Sequence, residues 1–277
     1  MEIWLNILSG LVVVGLFGVL SYKIKIVSIS GLVAGLIVGL LVWIFGGWSW
    51  FIIILSFHLS AAFFTKFKYK RKEREGLAQA KGGSRGWPNV MANGGFPTIC
   101  ATLEGLFVLL SFYGEILLFG FLGSVATMTA DTIATEVGLL SKTPPRLVTN
   151  LKKNVEPGTS GGITILGELG ALSGTIIIGG LAWLFAGLKI ISTVFTYQLL
   201  IVAISAGMFG CFVDSLLGAS IQGIFQCNIC KKITEKAKHC GEKSTHQRGF
   251  AFFENNMVNF VSASIGGLTA MILFFIF

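Results

Sequence analysis

Two carboxylates stand inside an apolar run. Asp131 and Glu136 lie in GSVATMTADTIATEVGLL, which begins at Gly123 and is otherwise hydrophobic enough to sit in a bilayer. An ionisable side chain at membrane depth costs at least a few kcal/mol and usually marks a functional site. On a helix, Ser124, Thr127, Asp131 and Thr135 fall on one stripe through i+3 and i+4 steps, with Thr132 and Glu136 on the neighbouring stripe. A hard cation such as Mg²⁺ takes one or two carboxylates together with water and phosphate oxygens, so Asp131 and Glu136 are candidate ligands. A buried acid paired with a base, or an ion path, would use the same residues.

Phosphate chemistry also needs cations and donors, and both follow within a few turns. The segment SKTPPRLVTNLKKNVEPGTSGG carries Arg146, Lys152 and Lys153, then Gly158-Thr159-Ser160-Gly161-Gly162 opening an apolar segment. Glycine-rich backbone at a helix start points N–H groups and the positive end of the helix dipole at one place. No Walker A pattern occurs, and the lysines also serve as topology signals. Glu168 and Asp214 lie in later apolar runs, and Glu104 in an earlier one. Glu254-Asn255-Asn256 and Asn259 open the last run, with Asn255 and Asn259 on one helical face. Helix capping is the plain alternative for these asparagines.

A third group has metal-ligand character. Cys227-x-x-Cys230 is followed by His239-Cys240 and His246. Structural zinc sites use such C-x-x-C turns with a second pair supplied later in the chain. Cys240 and either His239 or His246 would close the set, and free cysteines are the alternative.

These groups must be held by membrane helices. Of the 277 residues 53% are hydrophobic and 12% charged, with a mean hydropathy of +0.80. Soluble domains carry about 25% charged residues, so the composition indicates a polytopic, all-α membrane protein. Apolar windows at 3–22, 26–46, 48–65, 88–112, 116–140, 163–186, 197–221 and 257–277 give about eight spanning helices in one domain over residues 1–277. The fourth is interrupted by Asn93-Gly94-Gly95 and Pro97, which predicts a break or kink. Residues 222–250 form a small loop holding the Cys/His cluster. All but Lys189 of the 21 lysines and arginines fall in four loops, at 23–25, 66–85, 142–153 and 231–248. They alternate with short loops at Gly46-Gly47, Tyr113-Gly114 and 187–196. The positive-inside rule puts the four basic loops in the cytoplasm and both termini outside. The net charge of +8 is then largely a topology signal and not a nucleic-acid footprint. Glycines at small-xxx-small spacing, Gly31/Gly35/Gly39 and Gly170/Gly174, predict close helix packing.

GSRGWPNVMANGG, ADTIATEVG, TPPRLVTNLKKNVEPGTSGGITILG and ENNMVNF together resemble the phytyl-phosphate kinase / transmembrane protein 19 family over nearly the whole chain. The Cys/His insertion looks like the family's archaeal branch. The resemblance implies a CTP-dependent kinase that converts a phytyl- or polyprenyl-type monophosphate to the diphosphate. It is similar in outline to dolichol kinases and CDP-lipid synthases, which use CTP and Mg²⁺. Carried onto this chain, Asp131, Thr132 and Glu136 match the acidic motif, Arg146 and Gly158–Gly162 the PR and glycine-rich motifs, and Arg85 and Asn93 the first motif. The last motif, usually D-N-D, reads Glu254-Asn255-Asn256 here. The expectation is a kinase acting at the cytoplasmic face, in which Asp131 and Glu136 hold Mg²⁺ while Arg146, Lys153, Arg85 and the glycine-rich backbone offset phosphate charge. A CTP:lipid-phosphate cytidylyltransferase or a membrane transporter would use the same residues.

Overall fold

The computed structural model describes residues 2–111, 114–235 and 237–277. Tyr113, expected in a short loop, lies outside them. The long helices are α1 (Glu2–Lys23), α2 (Ile29–Leu41), α3 (Gly47–Lys66), α5 (Trp87–Leu109), α6 (Ile116–Gly138), α7 (Ile165–Gly187), α8 (Tyr197–Ser220) and α9 (Asn255–Phe274), with a short α4 at Tyr69–Arg74. Their positions follow the eight apolar windows. By length and hydropathy alone six runs qualify as membrane spans among the described residues, because Ile29–Lys66 counts as one and α5 does not qualify. The first of these differences has a structural reason. A π-helical turn at Val42–Gly46 leads into Gly47, whose φ of +83° reverses the chain. Phe51 returns to the level of Gly39 and Val14, with its ring 5.4 Å from that of Trp43. α5 stays helical through Asn93, Gly94, Gly95 and Pro97, so the main irregularity falls at Gly46-Gly47 and not at the proline.

α6 is the hub of the bundle, packed by α3, α5, α7, α8 and α9. Five helices can crowd one only if many of their facing residues are small. Gly170 and Gly174 of α7 lie against Ile133 and Thr129, Gly207 and Gly210 of α8 against Ala126 and Thr127, and Gly266 of α9 against Thr127. A β-carbon at Gly210 would stand 2.2 Å from Thr127 Oγ1, so even alanine would push the helices apart. Thr127 and Thr129, fully buried, return their hydroxyls to the carbonyls of Gly123 and Val125 at 2.8 and 2.7 Å. Thr127 and Thr129 are therefore satisfied within their own helix, whereas the buried Ser124 Oγ has no hydrogen-bond partner among the described residues. Of the Gly31/Gly35/Gly39 series, only Gly31 and Gly39 make close contacts.

The basic loops gather at one end of the bundle, and two of them are not plain loops. Residues 146–163 form an antiparallel sheet in the order β2-β1-β3, from β1 (Arg146–Leu147), β2 (Asn150–Asn154) and β3 (Gly162–Ile163). Beyond α8, β4 (Ile224–Gln226), β5 (Ile233–Thr234) and β8 (Thr245–Arg248) make a second sheet, ordered β5-β4-β8, beside the β6–β7 hairpin (Lys238–His239, Glu242–Lys243). At the opposite end Glu115 bonds Thr193 and the Val194 N–H, and Trp48 meets Phe185.

Candidate functional site

A cavity of about 1070 Å³ opens at the basic end and runs into the bundle. Its polar part is walled by the lower half of α6, the starts of α5, α7 and α9, the end of α8, and the loops at 75–85, 156–164 and 230–235. Asp131 and Thr132 line it from α6, Glu168 from α7, Asp214 from α8, and Asn255 and Asn259 from α9. Arg85, Asn93 and Gly158 through Gly162 line it as well. Most residues singled out from the sequence thus meet around one space, although they are spread from position 85 to 259.

The two carboxyls that face each other are Asp131 and Asp214, which come within hydrogen-bonding range across the α6–α8 interface. Ser262 Oγ donates to Asp214 Oδ2 at 2.7 Å and fixes it from α9. Like charges this close are stable only with a proton or a cation between them. Two hard oxygen donors on rigid helices fit a Mg²⁺ ion that keeps its remaining positions for water and phosphate.

Glu136, expected beside Asp131, is engaged elsewhere. Its Oε2 accepts from Lys72 Nζ at 2.5 Å and its Oε1 from Thr65 Oγ1 at 3.0 Å. Lys72 also donates to the carbonyls of Phe64 and Thr65 at 2.9 and 3.1 Å. Five residues along a helix turn the side chain about 140° away, which is why the two acids part company. Glu136 borders the cavity but spends both oxygens on holding α4 and the end of α3 against α6.

Arg146 and Lys153, expected beside the phosphates, are exposed on β1 and β2 and do not line the cavity. The sheet turns their strands outward. The bases at the cavity are instead Lys66, Arg85, Lys231, Lys232 and Arg248. Arg85 is held through its backbone, its N–H donating to the Ile26 carbonyl and its carbonyl accepting from Ser28 N–H, both at 2.9 Å. Gly31 makes this possible, since a β-carbon there would come 2.2 Å from the Arg85 carbonyl oxygen. Burial pulls the Arg85 guanidinium below its ordinary value, while the charges of Glu136 and Asp131 oppose the shift.

The glycine-rich loop forms a wall seated on α8. Gly158 and Gly161 adopt φ of +82° and +77°, and a β-carbon at Gly161 would strike the Ala219 backbone at 2.6 Å. The Thr159 and Gly162 N–H groups close turns inside the loop, and the Thr164 hydroxyl caps Gly167 N–H at 2.9 Å. Part of the expected anion nest is therefore satisfied internally. Ser160 Oγ bonds Gln222 Oε1. That leaves Gln222 Nε2 buried at the cavity wall with no hydrogen-bond partner among the described residues. Arg248 braces the same corner, donating to the carbonyls of Ala219 and Gly218. Sequence reasoning passed over Gln222, Lys72, Lys232, Arg248 and Ser262, because an isolated amide, hydroxyl or loop base carries no local signal.

The asparagines act as a strut. Asn259 Nδ2 donates to Asn93 Oδ1 at 3.1 Å, and Asn93 Nδ2 to Asn89 Oδ1 at 3.2 Å, tying α9 to α5. Asn256 faces away, into an apolar groove between α5 and α9. Glu104 does not line the cavity.

From the polar part an apolar arm continues between α1, α2 and α3. Ser21 and His58, hydrogen-bonded at 3.0 Å, mark the transition. Below them the arm is lined by Val14, Phe17, Val38, Phe51, Ile54 and Leu55, with room left at Gly35. From His58 to Phe51 α3 runs about 10 Å along this wall.

The cysteines form a separate cluster. Ligand atoms of Cys227, Cys230, His239 and Cys240 all lie within 4.8 Å of one another. His246 is excluded, its ring packed 5.3 Å from that of Phe225. Hydrogen bonding, first from the Cys230 N–H, pulls the Cys227 thiol down to about 6, while its bond with Cys230 first of all pushes Cys240 up to about 11.

The family described as integral membrane protein DUF92 matches residues 12–267. Protein PGR of Arabidopsis thaliana is 34% identical over 272 residues, which cover 93% of this chain and 92% of that protein. An uncharacterized membrane protein of Methanocaldococcus jannaschii is 28% identical over 220 residues, 79% of this chain and 84% of its own length. Protein VTE6, chloroplastic, also of A. thaliana, is 24% identical over 246 residues, 89% of this chain and 65% of its own length. No solved structure matches the chain significantly.

Proposed function

The chain belongs to the integral membrane protein DUF92 family, and we propose that it is a CTP-dependent kinase of a prenyl monophosphate, of the phytyl or geranylgeranyl class, working at the cytoplasmic face. One observation carries this reading. A single cavity joins a polar chamber, with two facing carboxyls, several bases and an unpaired amide donor, to an apolar arm about 10 Å long. That is the shape of a phosphate head with a hydrocarbon tail. A soluble phosphate ester would leave the arm empty, and a plain lipid would leave the charges unused.

In this reading the lipid tail lies between α1, α2 and α3, and its phosphate emerges past Ser21 and His58 toward Asp131. An oxygen of the lipid monophosphate attacks the γ-phosphorus of CTP, and the bond from that phosphorus to its bridging oxygen breaks. CDP leaves and the lipid diphosphate remains. The attacking oxygen is already ionised, so positioning and charge stabilisation do the catalytic work. Arg85 and Lys232 offset phosphate charge, Gln222 Nε2 gains its missing partner from a phosphate oxygen, and Gly158–Gly162 close the wall behind the nucleotide. Asp131 and Asp214 would hold Mg²⁺, which would offset negative charge on the nucleotide phosphates. The clustering of the basic loops at the chamber's end supports its cytoplasmic placement.

The test is product analysis with purified protein in lipid nanodiscs, γ- and α-labelled CTP, and geranylgeranyl monophosphate. CDP and the lipid diphosphate are expected. Pyrophosphate with a CDP-lipid would replace the kinase by a cytidylyltransferase, and absence of any nucleotide turnover would overturn the enzyme reading.

A further inference from the structure

The segment from Ile224 to Arg248 has little apolar interior of its own. Its strands are two to four residues long, and most of its side chains face solvent. Segments of this kind need a cross-link or a metal to hold a shape. The Cys227–Cys230 turn has the form of a metal knuckle. Cys230 N–H points at Cys227 Sγ at 3.5 Å, Lys231 N–H donates to the Cys227 carbonyl at 3.0 Å, and Cys227 N–H donates to the Lys232 carbonyl at 2.9 Å. His239 Nδ1 stands 3.4 Å from Cys230 Sγ and 3.2 Å from Cys240 Sγ. A tetrahedral zinc with Zn–S near 2.3 Å and Zn–N near 2.0 Å needs ligand-to-ligand edges of about 3.5–3.8 Å. The cluster is within a few tenths of an ångström of that cage at its closest pairs.

The far side of the knuckle is not free surface. Cys230 itself and the residues that follow, Lys231 through Glu235, line the polar chamber. Lys232 Nζ reaches over to the loop after α4, where a β-carbon on Gly76 would come within 3.0 Å of it. The chamber's roof thus runs on directly from the Cys227–Cys230 turn, which supplies two of the four ligands.

We propose that Cys227, Cys230, His239 and Cys240 bind one zinc ion, and that this metal holds Lys231–Glu235 in place as the roof of the phosphate chamber. The metal takes no part in the reaction. It is a positioning device, and it makes substrate affinity sensitive to chelators and thiol oxidants. Only the ligand of the chamber rests on the kinase reading; the metal site stands without it.

Two kinds of readout separate these claims. Metal analysis of the intact protein should give about one zinc per chain. Cys227→Ser and Cys230→Ser should lose most of it, while His246→Ala should keep it. Treatment with phenanthroline should open the segment to trypsin at Lys231, Lys232, Lys238 and Lys243, with the helices left intact. These results need no activity. CTP binding, followed by calorimetry, should then weaken roughly tenfold or more on zinc removal and return on refilling; Lys232→Ala should weaken it with zinc retained. Protein that contains no zinc when made in zinc-replete medium would overturn the site. Zinc loss with an unchanged tryptic pattern would overturn the roof. If CTP fails to bind even the zinc-loaded protein, the kinase reading falls while the metal and protease results still decide the strut.

Discussion

Lys72 and Glu136 meet at 2.5 Å in the interior, with 1% and 2% of their side chains exposed. One lies on the short helix α4 and the other near the end of the central helix α6, 64 residues later. The pair therefore fixes the loop that carries Arg85 against the helix that carries Asp131.

Removing one partner leaves a buried charge, which costs about 3–5 kcal/mol. Lys72→Met and Glu136→Gln should each lower the unfolding temperature of the purified protein sharply. The double variant should recover much of the loss, because it removes the charge as well as the pair. A single variant as stable as the parent would show that the pair is not structural.

Asp131→Asn and Asp214→Asn keep the shape of the chamber and remove one charge each. Loss of one transition-state charge contact costs about 3–4 kcal/mol, so each should cut phosphoryl transfer by roughly 10²–10³ with normal insertion and folding. Stabilisation of the protein by CTP should vanish only in the presence of Mg²⁺. Wild-type rates in either variant would separate these carboxyls from the chemistry.

Gly35 lines the apolar arm, and nothing lies within 4 Å of where its β-carbon would be. Gly35→Phe should fit without clash and fill the arm. The expected result is a higher KM for geranylgeranyl monophosphate with little change for geranyl monophosphate, at constant KM for CTP. Equal loss on both lipids would move the tail elsewhere.

Orientation can be read by labelling. A cysteine in place of exposed Ser192 should react with an impermeant maleimide in intact cells. One in place of Gly82, at the chamber's end, should react only after permeabilisation. The reverse pattern would put the chamber outside.

Asp131 was legible in the sequence because an acid in an apolar run has few bland explanations, and the helices because their windows are long and hydrophobic. The partner of Asp131 was not. Sequence proximity favours Glu136, yet helical geometry turns it toward Lys72, and Asp214 arrives from α8 only through tertiary packing. Lys72 could not be told from the seven other bases between Lys66 and Arg85, since its burial depends on α4 folding back onto α6. Arg146 and Lys153 sit beside the right motifs but on strands that turn them outward. The choice of His239 over His246 likewise depends on strand register, which pairs His246 with Phe225.

The hydrogen bond from Asn259 to Asn93 joins residues 166 positions apart. A ribosome adding about 5–20 residues each second needs roughly 8–33 s to travel between them. During that interval α5 and then α6 are completed while the wall that α9 supplies is missing, and Asp214, once made, lacks Ser262. The chamber is therefore a product of the end of synthesis, and a chain cut short before α9 would hold its acidic hub in the bilayer without the strut that completes it.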